Sequence, residues 1–256
     1  QNNFKVFEDN IEQKLSVFRH EDIPVTMGLV IDNSGSMREK RDRVTAAALT
    51  FVKTSNPQDE VFVVNFNDDY YLDLDKDFTS DLGELKDALE KIDSRGSTAF
   101  FDAAIGSLEH LRKGHRDKKV LLAITDGADN ASRYSLEKTL QFAQQSDAVI
   151  YAIGLFGEET SRQRNRARKA LLQLTQATGG LAYFPDSVEQ VESICRQVAH
   201  DIRNQYTLAY YPSNAKKDGS FRTVNVVTVS PKGMGKLFVR TRTGYFAQRG
   251  QSAGGM

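Results

Sequence analysis

Short apolar runs alternate with amphipathic stretches along most of this chain. Residues 25–31, 60–66, 119–125 and 148–154 are mostly apolar and rich in Val, Ile, Leu and Phe, the pattern of strands buried on both faces of a parallel sheet. Between them, 39–54 carries Val44, Ala47, Ala48, Phe51 and Val52 at helical spacing, which packs one helix face on such a sheet. Residues 81–92, the stretch from Thr98 to about Lys113, 135–145, 162–177 and 187–203 read as further helices. Asn56-Pro57 ends the first, Ser80 or Asp81 caps the second, and Gly179-Gly180 breaks the fifth. Tyr70–Leu74 follows a strand after only Asn67-Asp68-Asp69, too short a link for a parallel crossover, so an antiparallel neighbour is expected. Leu181–Phe184 reads as a short strand. The alternation predicts an α/β fold: a doubly wound, mostly parallel central sheet with helices on both faces.

Both ends of the chain depart from that pattern. Phe4–Phe7 and Gln13–Phe18 alternate apolar and polar residues around a turn-prone Glu8-Asp9-Asn10, which reads as a β-hairpin. Residues 206–211, 222–229 and 236–242 read as strands, with turns at 216–219 and 231–235. Three strands barely stabilise a sheet by themselves. Pairing the two ends into one small antiparallel β-unit beside the α/β core solves the problem for both. The expected organisation is therefore a hairpin at 1–22, the α/β domain at 23–204, the pairing strands at 205–247 and a disordered tail at 248–256.

Composition narrows the function classes. Lys plus Arg and Asp plus Glu number 34 each, a formal net charge of zero, so no global field points to nucleic acid. No apolar stretch approaches the length of a membrane span. Gln1 in place of an initiator Met points to a processed or trimmed chain. Cys195 is the only cysteine and excludes an intrachain disulfide; its amphipathic surroundings suit a buried apolar residue better than a catalytic thiol. The four His are scattered without ligand spacing. Arg162, Arg164, Arg166, Arg168 and Lys169 are compatible with an anionic partner or with a plain solvated face, and without interleaved aromatics they do not indicate nucleic acid.

The candidate chemistry lies where apolar runs end. Asp32-Asn33-Ser34-Gly35-Ser36 closes the first central strand, and Asp126-Gly127 closes another. Ligands of open α/β sheets bind beyond the carboxyl ends of the strands. Asp32, Ser34 and Ser36 alternate on one tight loop and can converge on a small hard cation, which prefers oxygen. Thr98 opens a crossover helix, with Ser97 as an alternative hydroxyl, and Asp102 lies one helical turn further on. Each of these residues is also an ordinary cap or turn residue taken alone.

Taken together, Asp32-x-Ser34-x-Ser36, the distant Thr98 and the distant Asp126 resemble the metal-ion-dependent adhesion site of the von Willebrand factor type A domain, over about residues 24 to 200. Phe4–Asp9, Tyr206–Tyr211 and Arg242–Phe246 further resemble a bacterial branch, the VWFA-related acidobacterial-type proteins. The resemblance implies a Mg²⁺ site, with Mn²⁺ or Ca²⁺ as alternatives, held by Asp32, Ser34, Ser36, Thr98 and Asp126; Asp102, one helical turn after Thr98, is read from its position as either a supporting acceptor behind them or a plain polar residue near a helix start. It implies a non-enzymatic adhesion or assembly module whose metal captures an Asp or Glu from a partner protein, and a secreted, periplasmic or cell-surface location. Two rivals stand beside it: a magnesium-dependent phosphohydrolase with Asp32 as nucleophile, and a structural component whose metal only orders the loops. The phosphohydrolase reading is weakened by Ser34, where such enzymes generally carry a second Asp as general acid.

Overall fold

The computed structural model describes residues 3–20, 22–126, 129–157, 160–229 and 237–248. Its centre is a six-stranded sheet in the order β6-β5-β4-β7-β8-β9. The strands are β4 (Val25–Asp32), β5 (Glu60–Phe66), β6 (Tyr70–Leu72), β7 (Lys118–Thr125), β8 (Ala148–Gly154) and β9 (Ala182–Tyr183). All neighbours are parallel except β5 and β6, which run antiparallel, as the short Asn67–Asp69 link requires. Among the described residues six helices cover the sheet: α1 (Arg41–Lys53), α2 (Leu82–Glu90), α3 (Phe100–Leu111), α4 (Leu136–Gln145), α5 (Ser161–Thr178) and α6 (Val191–Arg203). The doubly wound α/β architecture read from the apolar pattern is the one observed.

Side-chain alternation divides the core into two layers. Met27, Leu29, Ile31, Val61, Val63, Leu122 and Ile124 face α1, α2 and α6. Val30, Phe62, Val64, Phe66, Leu121 and Ala123 face α3, α4 and α5. The middle of β4 is crowded, since a Cβ on Gly28 would stand 2.5 Å from both Leu121 and Phe62. Residues 35–40, read as the approach to and start of the first helix, instead form a 3₁₀ turn, and α1 proper begins at Arg41.

The two ends of the chain do meet. β1 (Phe4–Glu8), β2 (Ile11–Gln13), β11 (Phe221–Thr228) and β12 (Gly244–Phe246) form an antiparallel sheet in the order β12-β11-β1-β2, while β3 (Leu15–His20) pairs with β10 (Tyr206–Tyr210). The β1–β2 turn holds Asp9 and Asn10 at φ 47° and 67°, the left-handed pair that a two-residue hairpin loop demands. The expected hairpin of Phe4–Phe7 with Gln13–Phe18 is corrected in its second strand. β2 ends at Gln13, and the residues from Leu15 onward pair with β10 rather than with β1.

The strand expected at 236–242 is also corrected. Residue 236 lies outside the described residues, 237–243 are not strand, and strand pairing with β11 begins at Gly244, just after Thr243 O accepts Val224 N at 2.9 Å. Arg242 explains the shift: Nη2 donates to the carbonyls of Gln144 (3.0 Å) and Ser146 (2.9 Å) at the end of α4. Thr243 N donates to Ala177 O at 3.3 Å, so the segment docks on helix ends before it can join a ladder. The expected turn at 231–235 and, past Gln248, the expected disordered tail lie outside the described residues.

Candidate metal centre

Asp32 ends β4 and Asp126 follows β7, its direct neighbour in the sheet. Both are almost wholly buried, at 2% and 1% exposure. Asp32 Oδ1 accepts the Ser34 amide at 2.8 Å, and Oδ2 accepts the Thr125 hydroxyl at 2.6 Å. Ser34 Oγ lies 3.2 Å from Ser36 Oγ, and Ser36 Oγ in turn donates to Asp126 Oδ2. Ser34, Ser36 and Asp126 are thereby linked through their side-chain oxygens, and Asp32 joins them through the Ser34 amide. Burial, and after it the neighbouring Asp126 charge, holds the Asp32 carboxyl well above the usual carboxylate range.

Thr98 is buried on the adjoining loop. The backbone holds that loop against the Asp32 loop: Gly35 N donates to Gly96 O at 3.1 Å, and Arg95 N to Asn33 O at 2.9 Å. Gly96 has φ +77°, and a Cβ there would meet the Asp68 carboxylate at 2.8 Å from its Cγ, so the turn needs glycine. Asp68 Oδ1 accepts the Ser97 amide at 2.9 Å. Ser97, the alternative hydroxyl, is only half-buried, whereas Thr98 is buried.

The loop from Asp129 to Tyr134 shapes this region from the far side. Asn130 Oδ1 accepts the Thr98 amide at 2.9 Å, and Thr98 O accepts the amides of Asn130 (3.0 Å) and Ala131 (3.2 Å). α3 starts without a cap from its own Ala99. Its free amides are served instead by Asp129, which accepts Phe101 N at 2.9 Å, and by Ser132 Oγ, which accepts Asp102 N at 3.0 Å. Asp102 returns the contact, with its carboxylate accepting the amides of Arg133 (3.0 and 3.1 Å) and Tyr134 (3.0 Å). Thr125, Asp129, Asn130 and Ser132 escaped the sequence reading. The one sequence signal for Asp129, Asn130 and Ser132 was a loop dense in Asp, Asn and Ser after Asp126.

The donor set suits a hard divalent cation. Two buried carboxylates of like charge lie together with hydroxyls between them, and oxygen is the ligand such ions prefer. Among the described residues no third acid, His or Cys joins them, so the set does not resemble a zinc site of the His and Cys kind. No helix among the described residues is long and apolar enough to cross a membrane.

Residues 27–128 match the family of the von Willebrand factor type A domain. Solved structures of the same fold include the von Willebrand factor type A protein from Catenulispora acidiphila (17% identity, TM-score 0.59, covering 78% of this chain and 50% of that one). Proximal thread matrix protein 1 from the mussel byssus, solved with a zinc-occupied MIDAS motif, gives 17% identity and a TM-score of 0.61, covering 77% of this chain and 50% of that one. BatB from Bacteroides thetaiotaomicron gives 16% identity and a TM-score of 0.56, covering 71% of this chain and all of that one. The chain spans about half the length of the first two. A comparison with curated proteins finds no match.

Proposed function

We propose that this chain, which carries a von Willebrand factor type A domain, is a metal-ion-dependent protein-binding module for adhesion or assembly. One observation carries the reading: Asp32 and Asp126, at the ends of adjacent strands, are both buried, and the hydroxyls of buried Ser34 and exposed Ser36 lie beside them. Asp32, Ser34, Ser36, Thr98 and Asp126 would hold the ion, with Mg²⁺ the first candidate and Mn²⁺ or Ca²⁺ sharing its preference for oxygen. The bound ion would supply an open coordination position for an Asp or Glu carboxylate of a partner protein. The chain's own residues prepare that position. Thr125 and the Ser34 amide orient Asp32, Ser36 bridges to Asp126, and Asn130 fixes the backbone of Thr98. Asp102 holds the 133–134 backbone behind the site. Solvent meets the cluster at Ser36, its one exposed member, so a partner approaches there. The byssus matrix protein among the similar structures supports extending the reading to a secreted, periplasmic or cell-surface setting.

The phosphohydrolase alternative fits less well. Both oxygens of Asp32 are engaged by Ser34 N and Thr125 Oγ1, and position 34 offers a hydroxyl where a general acid is needed. Calorimetry with Mg²⁺ and Mn²⁺ tests the proposal. Wild-type protein should bind a divalent ion, and Asp126→Ala should lose that binding with an unchanged circular dichroism spectrum. A wild type that binds neither ion removes the metal reading. Phosphoester turnover that disappears in Asp32→Asn would overturn the non-enzymatic one.

A further inference from the structure

The first half of α5 carries five cations within eight residues, Arg162, Arg164, Arg166, Arg168 and Lys169, with no acid among them, in a chain whose net charge is zero. All five are exposed. Two are engaged locally: Arg164 Nη2 donates to Gly157 O at 2.9 Å, and the Arg168 guanidinium lies 4.1 Å from the centre of the Phe184 ring, which stacks on Phe156. Arg162, Arg166 and Lys169 make no ion pair among the described residues. They stand at i, i+4 and i+7, one stripe of the helix, while the core-facing positions are Ala167, Ala170, Leu171 and Leu174.

Among the described residues no acid pairs with the Arg162, Arg166 and Lys169 stripe. Cations near the start of a helix oppose its dipole, and like charges at i and i+4 repel. α5 has no acidic residue in its first turn to offset them. The stripe also stands at the same edge as the candidate metal centre. β8 ends in register with β7, Gly154 opposite Thr125, and Leu155 N donates to Thr125 O at 2.9 Å, one residue before Asp126. Lys40, on the turn that carries Ser36, donates to Leu155 O at 2.7 Å. The segment leading into α5 thus starts beside the cluster.

We propose that Arg162, Arg166 and Lys169 form a second anchor for the protein partner, and that this partner presents an acidic segment: one carboxylate at the metal centre and further Asp or Glu residues along α5. This rests on the metal-dependent reading above. The stripe runs about 10 Å along the helix at 1.5 Å per residue, the reach of roughly three residues of extended peptide. A polypeptide is favoured over a nucleic acid because the neighbouring centre is built for a carboxylate and no aromatic residue is interleaved with the stripe.

The test uses a fluorescein-labelled hexaglutamate peptide, a Gly-Ser peptide of equal length with a single Glu, and a single-stranded DNA oligonucleotide, by fluorescence anisotropy with Mg²⁺ or with EDTA. The variants are Arg162→Gln/Arg166→Gln/Lys169→Gln combined, and Asp126→Ala. The hexaglutamate should bind in Mg²⁺ and weaken roughly ten-fold in the triple variant, since each exposed charge pair contributes modestly. Mg²⁺ affinity and the weaker single-Glu binding should stay unchanged in that variant. Equal affinity for the two peptides, no hexaglutamate binding, or tighter DNA binding through the same stripe each overturns the proposal. Hexaglutamate binding lost in EDTA but unaffected by the triple variant overturns the second anchor and leaves the metal-dependent reading standing. Binding that survives EDTA and falls in the triple variant keeps the acidic-segment anchor and overturns the metal's part in it.

Discussion

Asp102 shows how a buried acid can act at one remove from a site. Its carboxylate accepts two backbone amides of the loop that follows Asp126, and that loop in turn caps α3 through Asp129 and Ser132. Asp102→Ala leaves those amides unpaired, which costs about 1–3 kcal/mol of stability. Urea unfolding checks the cost, and calorimetry should show metal affinity reduced about ten-fold, the usual effect of losing a supporting contact. An unchanged affinity would confine Asp102 to stability. Cys195 is the opposite case. Burial pushes its thiol up to about 12, so the native protein should not react with a disulfide reagent at pH 8 and should react fully once unfolded. Rapid native labelling would contradict the buried position.

At the scale of elements, the lower end of α6 is fastened to the sheet. Arg203 donates to Asp59 and to Asp22, both at 2.6 Å, while Asp59, at 3% exposure, also accepts the amides of Val25 (2.8 Å) and Asn56 (3.0 Å). Arg203→Met strands a buried carboxylate and should cost about 3 kcal/mol, read from urea unfolding. A loss near zero would mean that water serves Asp59 equally well. Lys118, which donates to Ile202 O, belongs to the same region. Burial, and next the Arg203 charge, lowers its ammonium from 10.5 to about 8. Below about pH 8 both states carry the proton, and the cost of burying the charge is fully present. Between about pH 8 and 10.5 the unfolded chain binds a proton that the folded chain lacks, so this group's contribution to unfolding free energy rises with pH. Lys118→Met should remove that rise from a stability–pH profile, and an unaltered profile would assign it to other groups.

At the scale of the molecule, the chain closes on itself. β1 lies between β2 and β11, and β3 pairs with β10, some two hundred residues away in sequence. Buried Glu8 ties the closure, accepting the hydroxyls of Tyr210 (2.9 Å) and Tyr245 (2.6 Å). Amides of Lys5–Glu8, and the alternate amides of Val17–His20 that face β10, should therefore resist hydrogen exchange nearly as well as those of β11. Exchange at the rate of an unstructured peptide would show that the β-unit does not hold in solution.

Much of this protein follows from local pattern. The apolar runs ending in Asp32 and Thr125, and the helical spacing of Val44, Ala48 and Phe51, are enough for a doubly wound sheet, because a strand buried on both faces tolerates few polar residues. Asp-x-Ser-x-Ser and Asp126 could be picked out because strand ends of such sheets are where side chains converge, whereas Thr98, on a loop that opens a helix, joined them only through the resemblance to the von Willebrand factor type A domain. Tertiary structure alone decided the rest. Whether Leu15 pairs with β1 or β10, and whether Arg242 enters a ladder or docks on α4, turns on contacts between residues far apart in sequence, which no local period encodes. The same holds for Asn130, Asp129 and Ser132: a loop rich in hydrogen-bonding side chains becomes the cap of α3 and the support of Thr98 only when the sheet order sets it beside them.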